Sequence, residues 1–437
     1  MVALAMISAS GLLIVVICLT GMPENTRAAV IVSVGVAVFL FFWIILQTTH
    51  LPGEIFANPA WTATEGVSPL RHPPVISVTP GDDYIAYLKF ALPIALLITG
   101  LFLFRTDHDA EKILGYYSWA IVVIAMLSLA QFFLFPNTLV LSEKRFYADS
   151  LTGFFVNRNT AATFFGLGTL LLFAQAWKQF DRAWWRYVLF ANPPQTWSDL
   201  RVSFRQSRFV VSALAVLAPL LALVATKSRA GVSFSFLAIL VFVLIMVLTA
   251  RAPSGASGTR WRLTFRIFAG IAVIAVAFSV LGARVITKLE VRGLDDPRFC
   301  VLPGMIRAVR DQFPLGGGFA SFQEIFSAYR DPSCGLSGVW DKAHNLYVEG
   351  MLAIGIAFPI ILLICVGYLS WAFTLGVRNR KRYRFAGALG YASLVLVTLH
   401  SGFDFSLQIP GFAIAYAAFL APLVTLCLRP SQSAVVK

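Results

Sequence analysis

A chain that repeats apolar runs of about 20 residues has few folds open to it, because a run of that length crosses the hydrocarbon of a bilayer. Only helices and closed barrels satisfy every backbone group there. Eleven such runs are read at 3–20, 28–47, 85–104, 114–135, 160–177, 209–226, 231–250, 266–284, 346–371, 385–400 and 411–428. The sequence is 58% hydrophobic and 13% charged, against about 25% charged for a soluble domain. Its mean hydropathy is +0.77. The expectation is an all-α polytopic membrane protein of about 11–12 transmembrane helices. The net charge of +14 does not point to nucleic acid, because most of the basic residues sit in short loops between apolar runs, which is a topology signal. Met1 to Gly21 has no basic residue before its apolar run and no clear small-x-small cleavage site, so it reads as a retained helix.

The charged loops set an orientation. Arg105, Lys112, Lys178, Arg182, Arg186, Arg201, Arg205, Arg208, Arg251, Arg260, Arg262 and Arg266 fall on one side, with the dense run Arg378, Arg380, Lys381, Arg382 and Arg384. That side is expected to be cytoplasmic. The run 378–384 reads as an anchor on anionic lipid. Loop 178–208, with Trp184, Trp185 and Trp197 among its arginines, reads as an amphipathic segment on the inner leaflet. The other side carries loops 48–84, 136–159 and 285–345. Eleven spans put the N-terminus outside and the C-terminus inside. The chain divides into helices over 1–284, an outer loop over 285–345 that carries active-site residues, and helices with a tail over 346–437.

Loop 285–345, with Arg284 at its edge, holds Lys288, Arg292, Arg298, Arg307, Arg310, Arg330 and Lys342. A loop this long largely escapes the positive-inside rule. Its charge is either a solvated face with local pairs, such as Arg307 with Asp311 four residues on, or a surface for an anionic ligand. Residues 298–313 have helical spacing with Val301, Met305, Ile306 and Val309 on one side. Pro314-Leu315-Gly316-Gly317-Gly318 then forces a turn. Residues 320–330 read as a second helix with Phe322, Ile325, Phe326 and Tyr329 as its apolar face. The loop is thus expected to be a small helical cap. Cys300 and Cys334 would form a disulfide in an oxidising compartment; two free thiols are the simple alternative. Cys18, Cys365 and Cys427 lie in spans and read as packing residues.

Four short motifs could carry chemistry. Lys227-Ser228-Arg229-Ala230-Gly231 links two spans with almost no loop, so Arg229 is either a snorkelling helix-end arginine or a guanidinium fork for phosphate. His344-Asn345 opens the ninth run, and the histidine is either a surface or cap residue or a base that titrates near neutral pH. Asn157-Arg158-Asn159-Thr160 opens the fifth, where Asn159 or Thr160 can cap the helix. His400-Ser401-Gly402-Phe403-Asp404-Phe405 closes the tenth, where Asp404 either sits in a buried pair or binds a sugar hydroxyl. There is no zinc spacing, Walker loop or nucleotide fingerprint, so no cofactor and no metal is expected.

These pieces, in this order, resemble the O-antigen ligase and polymerase superfamily of bacterial membrane proteins. The resemblance runs from about residue 150 to 425, through Asn157 to Thr160, Ser228-Arg229-Ala230-Gly231, Arg298, Pro314 to Phe322, His344-Asn345-Leu346-Tyr347, and His400 to Phe405 with Pro410. The chain departs from the pattern near Pro303, where an aromatic that is common after the loop arginine is replaced. The resemblance implies a fold like that of the C-type glycosyltransferases, with a helical periplasmic cap between late spans. It also implies an enzyme on the outer face of the bacterial inner membrane, metal-independent and inverting. The donor would be a glycan on undecaprenyl pyrophosphate. The acceptor would be a glycan, in a polymerase, or lipid A-core, in a ligase, for O-antigen or exopolysaccharide. Membrane lipids and polysaccharide assembly proteins are the other partners in view.

By motif, His344 and Arg229 carry over as catalytic and Arg298 as a pyrophosphate ligand. The chemistry suggests Arg307, Lys227, Asn345, Asp404 and Asn159 as further substrate contacts. An attacking hydroxyl must lose a proton, which suits an imidazole. Charge builds on the departing pyrophosphate, which suits arginine. A transporter or flippase of lipid-linked glycans is the rival class. It asks for charges deep in several spans, and Lys89, near an outer end, is one of few. A non-catalytic assembly partner is a third.

Overall fold

The structure is a computed structural model, and it describes residues 2–50, 56–63, 74–139, 142–179, 207–249, 297–334 and 339–430. The expected run 266–284, the centre of loop 178–208, and Arg284, Lys288 and Arg292 lie outside these residues.

Helices account for most of what is described. They are α1 (Val2–Thr20), α2 (Arg27–Thr48), the short α3 (Ala60–Ala63), α4 (Pro80–Leu103), α5 (Asp107–Leu134) and α6 (Arg158–Gln179). Then come α7 (Ser207–Ala215), α8 (Leu217–Ala225), α9 (Arg229–Leu248), α10 (Pro297–Gln312) and α11 (Phe322–Tyr329). Last are α12 (Leu346–Ile354), α13 (Ala357–Asn379), α14 (Arg384–Ser401) and α15 (Pro410–Leu428). Among the described residues the one strand pair is a hairpin of Thr138–Leu139 with Ser142–Glu143. Among the described residues, seven helices are long and apolar enough to cross a membrane: Glu24–Thr48, α4, α5, α6, α9, α13 and α15. Helices also form over the expected runs 3–20, 209–226 and 385–400. This is an all-α polytopic membrane protein. Large apolar side chains such as Phe42, Leu127 and Leu363 stand exposed on these helices, as lipid-facing positions require.

The described chain forms two compact units. The first is Met1–Asp107, Leu289–Trp371 and Ser401–Thr425; the second is His108–Lys288, Ala372–His400 and Leu426–Lys437.

In the first unit α1 and α2 pack on α4, and α10 packs on α11 and α12. The cap core is Val301, Met305, Ala308, Phe322, Ile325, Phe326 and Leu352. The two cap helices fall where the apolar spacing put them. One residue of that face differs: Ile306 is 55% exposed, and Ala308 takes its place in the core. Cys300 and Cys334 form a disulfide. No Arg307–Asp311 ion pair forms among the described residues; Asp311 accepts a hydrogen bond from the Tyr329 hydroxyl at 2.8 Å instead.

The expected continuous run 346–371 is not one helix. It breaks between α12 and α13 at Gly355, which has φ +54°. The glycine strap 316–318 docks at the break. Gly317 N donates to Leu352 O at 2.9 Å and Gly318 N to Ala353 O at 3.1 Å, while Ile356 N donates to Pro314 O at 2.9 Å. The strap thus satisfies carbonyls that a helix end leaves open. From α2, Gln47 Nε2 donates to Ala353 O at 2.9 Å and to Leu315 O at 2.8 Å. From α4, Asp83 Oδ1 accepts from Ala320 N at 2.8 Å. A side chain at Gly355 would meet Pro314 O at 1.9 Å, so only glycine lets strap and helix approach this closely.

In the second unit α6 is central. Of its apolar window 83% is buried, against 28% for α9, and α7, α8 and α9 all pack on it. The basic run 378–384 is not wholly a lipid anchor. Arg380 is buried and donates to Leu426 O at 3.0 Å and Pro430 O at 2.7 Å, and Arg384 bonds Thr249 O. Both satisfy carbonyls near helix ends that the sequence cannot place beside them.

Candidate active site

In the first unit, His344 sits in the tight connection that leads into α12. Its φ is +53°, a left-handed backbone for a residue with a Cβ. Such a conformation costs on the order of 1–3 kcal/mol and persists where its surroundings over-determine it. Among the described residues, only Tyr147 and Lys227 share this property outside glycine. Asn345, the next residue, has extended backbone and caps α12: its Oδ1 accepts from Tyr347 N at 3.0 Å and Val348 N at 3.2 Å. Behind the connection lies Glu349, buried on the first turn of α12. Its Oε2 accepts from Ala343 N at 2.8 Å and its Oε1 from Lys342 Nζ at 2.9 Å.

Two rings hold the half-buried imidazole of His344. The Phe405 centroid is 4.9 Å away, edge-on, and the Trp340 centroid 6.0 Å away. Trp340 also packs against the cap core through Phe326, 6.2 Å away. The disulfide of Cys300 joins α10 to the turn at Pro332–Cys334, six residues before Trp340. The cap therefore builds one wall beside His344. Asp404, next to Phe405 in sequence, is fully buried and accepts from the Ser406 hydroxyl. It is placed as an internal acceptor rather than a group facing solvent. Arg298 lies in the first turn of α10, and Arg307 is exposed on the same helix.

In the second unit, Arg229 is the first residue of α9 and is exposed. A cation at a helix N-terminus opposes the macrodipole, so the fold gains nothing obvious from a guanidinium there. The turn beneath it is firmly held. Ser228 caps α9, accepting from Gly231 N at 3.3 Å, and its hydroxyl donates to Asn159 Oδ1 at 2.8 Å. Asn159 is buried and is not the cap of α6; Asn157 is, accepting from Asn159 N at 2.8 Å. A Cβ at Gly231 would meet Ala162 Cβ at 2.4 Å and His400 Cε1 at 3.4 Å, so α9 starts flush against α6. His400 is 1% exposed, with Nδ1 2.6 Å from the Thr163 hydroxyl. Lys227 is exposed, has φ +54°, and pairs with Asp149 at 3.3 Å.

Of the expected site residues, His344, Asn345, Arg298, Arg307 and Asp404 thus belong to the first unit, and Arg229, Lys227 and Asn159 to the second. Asn345, Asn159 and Asp404 have their side-chain oxygens engaged inside the protein. His344, Arg229 and Arg307 retain exposed surface. Glu349, Trp340 and Phe405 are neighbours of the histidine that sequence reading did not single out. Glu349 follows His344 by five residues, and its place in the first turn of α12, close behind an asparagine cap, is the one signal that could have found it.

An all-α polytopic fold with a helical cap beside a conformationally constrained histidine defines the class. Residues 214–358 match the family model described as O-antigen ligase, which supports the resemblance to the O-antigen ligase and polymerase superfamily. The matched segment takes in Lys227, Arg229, Arg298, Arg307, His344 and Asn345; Asn159 and Asp404 lie outside it. The match supports a glycosyltransferase role of that family's kind. No curated protein matches the chain.

Proposed function

We propose that this protein is a metal-independent, inverting glycosyltransferase on the periplasmic face of the bacterial inner membrane. It moves a glycan from undecaprenyl pyrophosphate to a sugar hydroxyl, either on a growing chain or on lipid A-core. His344 is the base that takes the proton of the attacking hydroxyl. Arg229 and Arg298 bind the pyrophosphate, and their contacts must tighten as the glycosidic bond breaks, because equal binding of ground and transition states would not raise turnover. Arg307 and Lys227 add positive field.

The observation that carries this reading is the left-handed backbone of His344 within the family-matched segment, with its ring set between Trp340 and Phe405.

Product analysis tests it. The purified protein is incubated with its host's undecaprenyl-pyrophosphate oligosaccharide and EDTA, with and without lipid A-core. Longer lipid-linked chains identify a polymerase, and glycan on lipid A-core identifies a ligase. No transfer in either mixture overturns the enzymatic reading in favour of transport.

A further inference from the structure

We propose that Glu349 is the positioning residue of the active site, holding His344 in its working orientation through the backbone. The inference rests on the reading of His344 as the base.

A left-handed residue needs its neighbours fixed on both sides. After His344, Asn345 is fixed by the two amides it caps. Before it, Ala343 is fixed by one bond, its amide to Glu349 Oε2 at 2.8 Å. The other carboxylate oxygen is engaged by Lys342 Nζ at 2.9 Å, which fixes the plane of the carboxylate. Glu349 is itself anchored in the helix that His344 precedes, since its amide donates to Asn345 O at 3.1 Å. The loop 342–345 and the first turn of α12 are therefore one closed unit, tied by a carboxylate that is 7% exposed.

The carboxylate does two jobs at once. It sits in the first turn of a helix, where negative charge is favoured, and it accepts an amide that would otherwise be left open in a buried turn. A glutamate that only served the helix would point to solvent. This one turns back toward the residue before the histidine. Glu349 does not touch the imidazole, so it acts on geometry, not on proton transfer.

Two variants and two readouts test this. In Glu349→Ala the Ala343 amide loses its acceptor. Hydrogen exchange of the peptide over 341–345 should rise by about 10-fold or more, which is the loss of one buried bond. Turnover with the host's undecaprenyl-pyrophosphate oligosaccharide should fall by about 10- to 100-fold, the scale of a misplacement near 1 Å, while KM for that donor changes by less than about 3-fold. Glu349→Gln keeps an oxygen for the Ala343 amide and should recover most of the exchange protection and of kcat. Unchanged exchange in Glu349→Ala overturns the proposal. So does a Glu349→Gln variant as impaired as Glu349→Ala, or a wild-type kcat in Glu349→Ala while His344→Ala is inactive. Wild-type turnover in His344→Ala sinks the base reading instead, and Ala343 exchange then remains as the separate test of the clamp.

Discussion

The Ser228 hydroxyl donates to Asn159 Oδ1 at 2.8 Å, so the cap of the helix that begins at Arg229 is tied to the start of the central helix α6. Both partners are buried. Ser228→Ala removes the α9 cap and leaves the Asn159 oxygen without this donor. The expected loss is about 1–2 kcal/mol, seen as a lower melting temperature in detergent. Transfer activity should fall further than stability alone explains, because Arg229 follows the cap directly. An unchanged melting temperature would show that the bond carries no weight.

Gly355 and Gly367 give a paired test of the strap. Alanine at Gly355 would need a left-handed backbone and a Cβ 1.9 Å from Pro314 O, whereas Gly367 has nothing within 4 Å. Gly355→Ala should destabilise by more than about 2 kcal/mol, through strain and the displaced strap. Gly367→Ala should be neutral or stabilising by up to about 1 kcal/mol, from helix propensity. Thermal unfolding of the two variants side by side reads the difference.

The Cys300–Cys334 disulfide makes a direct count possible. Of five cysteines in the chain, Cys18, Cys365 and Cys427 are free. Alkylation of the denatured, unreduced protein should label three, and reduction should expose the other two. The bond encloses both cap helices with a sequence separation of 34, so removing it with paired serines should cost about 3–4 kcal/mol of cap stability by the chain-entropy argument. Limited proteolysis between residues 297 and 345 should then speed up.

The Lys227–Asp149 pair sets a small acid dependence. The hydrogen bond from the Lys227 ammonium holds the Asp149 carboxyl below its ordinary value. A depressed folded pKa gives stability that is present above the unfolded value of about 3.9 and lost as pH falls through the folded one. Both groups are exposed, at 54% and 71%, so the contribution is under about 1 kcal/mol. Asp149→Asn should leave the melting temperature at pH 7 nearly unchanged. A large loss would mean the pair is a structural anchor and would remove Lys227 from the substrate contacts.

What the sequence discloses is local. The apolar period of 298–313 located α10, because Val301 and Met305 repeat at helical spacing, although Ile306 shares that spacing and faces out. The break at Gly355 was hidden, because hydropathy averages over a run and does not register a backbone turn; the partners that make the break stable, Gln47 and Pro314, come from distant segments. The same limit applies to the site. His344 and Arg229 stand out because each opens an apolar run within a short polar motif, His344-Asn345 and Lys227-Ser228-Arg229. By position Asn159 or Thr160 suits the cap of its own helix, whereas the Asn159 oxygen accepts from Ser228, 69 residues later. Phe405 looks like any aromatic until its ring is found 4.9 Å from His344.

The most direct measurement is transfer from the lipid-linked donor by His344→Ala, in protein shown to melt like the wild type. If the imidazole takes the proton of the attacking hydroxyl, kcat falls by about 10²–10⁴-fold with the donor still bound. Turnover near the wild-type level contradicts that role and removes His344 from the chemistry.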